Sequence, residues 1–174
     1  MTRLEAICII APNKYKITGT IKFTQLSHRC KIDYNIKNLS PGNHGFHIHE
    51  YGDLRDGCKS ACAHFNPDNN PHGGPHNKNR HAGDLGNIIS NNQKLAQNKL
   101  YDHVISLDYK SKYCILGRMV VIHKYPDDLG LGDDNESLIT GNAGERVACG
   151  VIGLCNQPKR HNKTKRHNKT KRHK

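Results

Sequence analysis

The chain has 174 residues, enough for one domain with a real core and too few for two comfortable ones. Hydrophobic residues make up 34%, with three Phe and no Trp, so the core is modest and a metal or covalent staple would add to it. The net charge of +12 reads as a nucleic-acid signature until it is located: nine of the 27 Lys and Arg lie between Lys159 and Lys174, leaving 18 bases against 15 acids elsewhere.

The N-terminal stretch MTRLEAICIIAPNK has an apolar run too short for a cleavable signal, and no run approaches membrane-spanning length. A cytoplasmic protein with no membrane span is expected, with a nuclear or virion location left open. Alternation of apolar and polar residues then dominates. It is cleanest from Cys30 to Lys37, where Cys30, Ile32, Tyr34 and Ile36 interleave with Lys31, Asp33, Asn35 and Lys37. Similar runs at Glu5 to Ile10, Lys16 to Phe23, His44 to His49, Asp84 to Ile89, Leu100 to Leu107, Tyr113 to His123 and Ala148 to Ile152 make eight strands. No stretch holds a helical period, so the expected fold is an all-β antiparallel sandwich or barrel.

Within GFHIHE, residues 45 to 50, His47 and His49 share one strand face while Phe46 and Ile48 share the other. Two long segments rich in Gly, Asn and Asp follow, residues 50 to 83 and 124 to 146. Loops of that length are commonly functional. His47, His49, His64, His72, His81, Asp84 and His123 supply seven donors suited to zinc and copper. Three imidazoles with a carboxylate make a closed zinc site, and four imidazoles suit Cu(II). Seven donors for eight positions require one shared residue, and an imidazole bridges two cations through its two ring nitrogens. Spacing alone leaves open which histidine that is.

The stretches GFHIHEYGD, HFNP, HGGP, RHAGDLGN, GRMVVIHK, DDLG and TGNAGERVACGVIG resemble, in order and spacing, the motifs of the copper/zinc superoxide dismutases. The resemblance implies an eight-stranded Greek-key barrel, residues 1 to 157 as the enzymatic domain, and disproportionation of superoxide. It implies copper on His47, His49, His64 and His123, and zinc on His64, His72, His81 and Asp84, with His64 as the bridge and proton carrier. Asp127 would link His47 to His72 through their remaining ring nitrogens. Arg146 would anchor superoxide beside copper, and Thr140 would narrow the channel. A disulfide between Cys58 and Cys149 is implied as well. Cys8, Cys30 and Cys114 are expected to be small buried hydrophobes, with Cys155 more exposed.

The chain departs from the family pattern in two places. Cys62, in SACAHFNP, stands where Gly usually does, and Ile139 stands where a Lys beside Glu136 usually guides the anion. Other readings are a metal-binding protein of this fold without turnover and the dismutase-like domain of a copper chaperone. Expected partners are a second copy of the chain and a copper chaperone. The basic KRHNKT repeats of residues 158 to 174 read as a disordered tail, with polyanions or nucleic acid as its expected ligands.

Overall fold

The computed structural model describes residues 4–155, which build eight strands: β1 (Glu5–Ile10), β2 (Thr18–Gln25), β3 (Cys30–Lys37), β4 (Gly42–His49), β5 (Asp84–Ser90), β6 (Leu95–Asp102), β7 (Met119–His123) and β8 (Arg146–Leu154). The spatial order is β5-β4-β7-β8-β1-β2-β3-β6, and every paired neighbour is antiparallel. The β3–β4 and β6–β7 connections cross from one half to the other, which is the Greek-key pattern. The end strands β5 and β6 are consecutive in sequence, joined by a turn that Lys94 closes on Asn91, so the sheet curls into a nearly closed barrel. Among the described residues, no helix is long and apolar enough to cross a membrane.

Alternation decides which side faces in. In β3, Cys30, Ile32, Tyr34 and Ile36 are buried, and the residues between them reach the surface. They join Phe23, Phe46, Ile48, Ile88, Val120 and Ile122 in one interior cluster. Each such side chain, fully buried, contributes about 1.5–3 kcal/mol.

Strands β4 and β7 break the rule near the site: β7 and the last six residues of β4 are buried on both faces. Their inner residues fill the barrel, while the outer face is covered by the two long loops. His47 lies opposite Val121 and His49 opposite Met119, and opposed residues share a face. Met119 and Val121 form a small outer apolar cluster with Ala61 of the first loop. The same cover that hides these side chains hides the two histidines.

Three local expectations are corrected. Strand β6 runs Leu95–Asp102, not Leu100 to Leu107, because its Gln97, Asn98 and Lys99 face solvent and blur the alternation. Strand β7 starts at Met119, not Tyr113, since the preceding residues turn and plug Ile105, Leu107 and Ile115 into the barrel. The loops also carry a 3-10 turn, Lys59–Ala61, and one four-residue helix, α1 (Ser137–Thr140), both too short to leave a period in sequence.

Cys58 is bonded to Cys149 of β8, with Cα atoms 5.7 Å apart and a sequence separation of 91. A loop of that length corresponds to about 4–5 kcal/mol in the chain-entropy treatment. Cys8 and Cys30 are fully buried as expected, Cys155 is partly exposed, and Cys114, expected inside, is partly exposed too. The tail expected over residues 158 to 174 lies outside the described residues.

Candidate metal centre

Strand β4 carries His47 and His49, the first long loop His64, His72 and His81, the first residue of β5 is Asp84, and β7 ends on His123. Asp127 follows in the second loop. All eight are at most 7% exposed. Local pairing sets them: His47 lies opposite Asp84 across the β4–β5 ladder, and a lone bridge draws His64 against His49.

The second nitrogen of most of these rings is held by an acceptor, and this fixes which lone pair remains. His49 Nδ1 donates to the Cys62 carbonyl at 2.9 Å, and His123 Nδ1 to the Gly144 carbonyl at 2.9 Å. Asp127 accepts from His47 Nε2 at 2.7 Å through one oxygen and from His72 Nε2 at 2.8 Å through the other. A carbonyl only accepts, so each contacted nitrogen bears the proton. Left bare, buried and without partner are His47 Nδ1, His49 Nε2, His64 Nε2 and His123 Nε2. Four orphaned acceptors in one dry pocket are costly unless a cation meets them.

A second set converges on Asp84. Its Oδ2 accepts from the Gly73 and His81 main-chain N–H groups at 3.1 and 2.9 Å, which turns Oδ1 toward the rings. Around that oxygen stand Nδ1 of His64 at 2.8 Å, of His72 at 3.0 Å and of His81 at 3.2 Å. Two four-residue donor groups therefore exist, His47, His49, His64 and His123, and His64, His72, His81 and Asp84. His64 belongs to both, with one ring nitrogen turned to each.

The electrostatics agree with a cation-receiving site. Burial pushes His47 and His49 well below the usual imidazole range and His123 down to about 4, with the neighbouring His64 adding to each. Burial also lowers His64. These rings are neutral and ready to ligate at pH 7. For His72, burial works the other way, but the hydrogen bonds its ring makes to the Asp127 and Asp84 carboxylates outweigh it, raising the ring to about 9. Asp84 and Asp127 lie below the carboxylate range: burial opposes this, and the imidazoles bonded to each prevail.

Arg146 opens β8, part-buried beside this pocket. Its guanidinium donates to the carbonyls of Cys58 at 2.8 Å, Lys59 at 3.2 Å and Cys62 at 2.6 Å. Thr140 stands on α1 with its hydroxyl donating to Glu136 at 2.7 Å, and Ile139 beside it is 57% exposed.

Sequence reasoning overlooked two supporting residues. Asn87 clamps the Asp127 main chain, its amide donating to the Asp127 carbonyl and accepting from the Asp127 N–H, both at 2.8 Å. His44 sits behind His123, its Nδ1 2.7 Å from the His123 carbonyl. Asn87 ends the RHAGDLGN motif, which was its visible signal.

An antiparallel barrel whose two long loops close over donor groups joined by one imidazole is the frame of a dinuclear metalloenzyme. The family model described as copper/zinc superoxide dismutase matches residues 17–152. Superoxide dismutase (Cu-Zn) of Paramecium bursaria Chlorella virus 1 is 49% identical, over 88% of this chain and 81% of its own. Superoxide dismutase (Cu-Zn) A of Xenopus laevis is 47% identical, over 87% of this chain and 99% of its own. The extracellular enzyme of Drosophila melanogaster is 47% identical, over 80% of this chain and 77% of its own. The chain belongs to the copper/zinc superoxide dismutase family. It is an oxidoreductase that takes superoxide as substrate, with copper and zinc as cofactors.

Proposed function

We propose that His47, His49, His64 and His123 hold copper, that His64, His72, His81 and Asp84 hold zinc, and that His64 serves both. The observation that carries this is His64 itself, with Nδ1 facing the Asp84 group and Nε2 bare among the other imidazoles. Three imidazoles with a carboxylate suit zinc, and an all-imidazole set suits copper. The test is copper and zinc content of one preparation, then superoxide decay before and after copper is withdrawn. Decay unchanged by copper removal at full zinc overturns the reading.

The net reaction converts two superoxide ions and two protons to one dioxygen and one hydrogen peroxide. Copper, when bound, supplies the one-electron couple, and zinc a fixed charge on the shared ring. Arg146 binds the substrate anion: three carbonyls aim its guanidinium, and a planar fork suits a small diatomic ion. Thr140 on α1 narrows the approach. His64 carries a proton at Nε2 while Nδ1 stays with the Asp84 group, and passes it to the peroxide as that leaves. Asp127 keeps His47 and His72 in the tautomers that leave both Nδ1 atoms free.

Partners and location belong to the same reading. A second copy of the chain packs on the face where Ile9, Tyr51, Leu54 and Leu154 are each more than half exposed, β1 and β8 being paired there. Sedimentation of the wild type and of Leu154→Asp tests this, and a monomeric wild type refutes it. A copper chaperone loads the site, and the basic tail binds polyanions; truncation at Pro158 should then abolish retention on immobilised DNA at moderate salt. Five free thiols beside one disulfide suit a reducing cytoplasm, which fractionation of the source cells checks.

A further inference from the structure

Superoxide is an anion, so the charges at the pocket mouth decide from which side it arrives. From Tyr125 to Gly144, the part of the loop that covers the site on one flank, there are five acids and no Lys or Arg. Asp133, Asp134 and Glu136 lie around α1, with exposed Leu138 and Ile139 on the helix itself. That flank repels an incoming anion or offers it nothing.

The opposite flank is different. An open groove of about 450 Å³ leads to Arg146, with Lys14, Tyr15, Lys59 and Glu145 on its walls. Glu145 is occupied: Lys14 bridges to it at 3.2 Å and the Tyr15 hydroxyl donates to the same oxygen. Lys124 lies near enough to favour its ionised form as well. Asp56 is the other acid of the groove. Arg55, nearby in the loop, is taken up by a two-pronged bond to Asp53. Lys59 is exposed and, among the described residues, makes no ion pair, and its own carbonyl is one of the three that hold Arg146.

We propose that superoxide is guided to Arg146 along this groove by Lys59, so that the guiding charge sits on the disulfide loop instead of on α1. This deepens the dismutase reading, in which Arg146 anchors the anion. A lysine at this position adds attraction along the last part of the path and leaves the anchor itself unchanged. Lys14 contributes by cancelling Glu145, the acid beside Arg146.

The test uses the full-length, copper- and zinc-loaded protein with Lys59→Glu, Lys59→Gln, Lys59→Arg and, as a control of equal charge change, Lys99→Glu. Lys99 is on β6, four strands from β8 and so across the nearly closed barrel from the strand that carries Arg146. At low ionic strength kcat/KM should fall about 5-fold in Lys59→Glu and about 2-fold in Lys59→Gln, with the deficit closing as salt rises. Lys59→Arg should match the parent, and Lys99→Glu should change it by less than about 1.5-fold. An equilibrium titration with azide, followed in the copper absorption, should show weaker binding in Lys59→Glu and, to a lesser degree, in Lys59→Gln, and no change in Lys59→Arg or Lys99→Glu. Equal effects of Lys59→Glu and Lys99→Glu, or a deficit that salt does not reduce, overturn the proposal. Metal content and the intact disulfide are checked in each variant. A parent that holds both metals without turnover refutes the dismutase reading instead, and azide affinity unchanged in Lys59→Glu then still refutes the guiding role.

Discussion

Cys62 shows how much one residue carries at this site. It holds φ 64° and ψ −144°, a backbone region that suits glycine, and its carbonyl receives both His49 and Arg146. A side chain there costs about 1–3 kcal/mol, sustained by those two bonds. Cys62→Gly should therefore raise the midpoint of thermal unfolding of the metal-loaded protein by roughly 2–4 °C per kcal/mol recovered, read by calorimetry. A lowered midpoint would mean that the thiol packs usefully. Cys8 and Cys30 are the opposite case, since burial pushes each thiol up to about 12. A raised pKa stabilises the fold in full below the unfolded thiol value and loses that stability as pH climbs toward the folded one. Stability should thus decline from about pH 9 upward. Cys8→Ala should flatten that decline in thermal scans at pH 7, 9 and 10.5, and an unchanged slope would assign it to other groups.

At the scale of elements, the second loop works through one link. Asp127 joins the two donor groups, Asn87 of β5 clamps its main chain, and Gly141 at φ +66° lies against its carboxylate. A Cβ on Gly141 would fall 2.0 Å from Asp127 Oδ1 and 2.5 Å from His72 Nε2. Asn87→Ala should weaken retention of both metals by about 10–100-fold, and Gly141→Ala by at least as much, in competition with a chelator. Loss of one metal alone would show that Asp127 does not couple the sets. This also marks what the sequence made legible. Donor types and the β3 alternation could be read along the chain, because both are local. Strands β4 and β7 could not be read as buried on both faces, since the cover comes from loops far away in sequence. The carbonyls of Cys58, Lys59 and Cys62 had no signal of their own, because any residue offers a carbonyl and the fold alone selects these.

At the scale of the whole molecule, one disulfide cross-links the first long loop to the barrel strand β8. Removing it with Cys149→Ser should cost about 2–5 kcal/mol, seen as a lower denaturant midpoint with a steeper slope, since the unfolded chain then expands further. An unchanged midpoint would mean that metal ligation alone holds the first loop to β8.

That bond also completes a ring. Arg146 is three residues before Cys149 on β8, Cys149 is joined to Cys58, and the Cys58 carbonyl takes the Arg146 guanidinium. Two sulfurs, a stretch of strand and one hydrogen bond thus encircle the anion anchor, while none of the metal donors lies within the circuit. Breaking the sulfur link would loosen one of the three holds on the guanidinium, with the Lys59 and Cys62 carbonyls still on it and the metal donors outside the circuit. A fault in that link would therefore be felt first at the substrate's anchor and only afterwards at the metal donors.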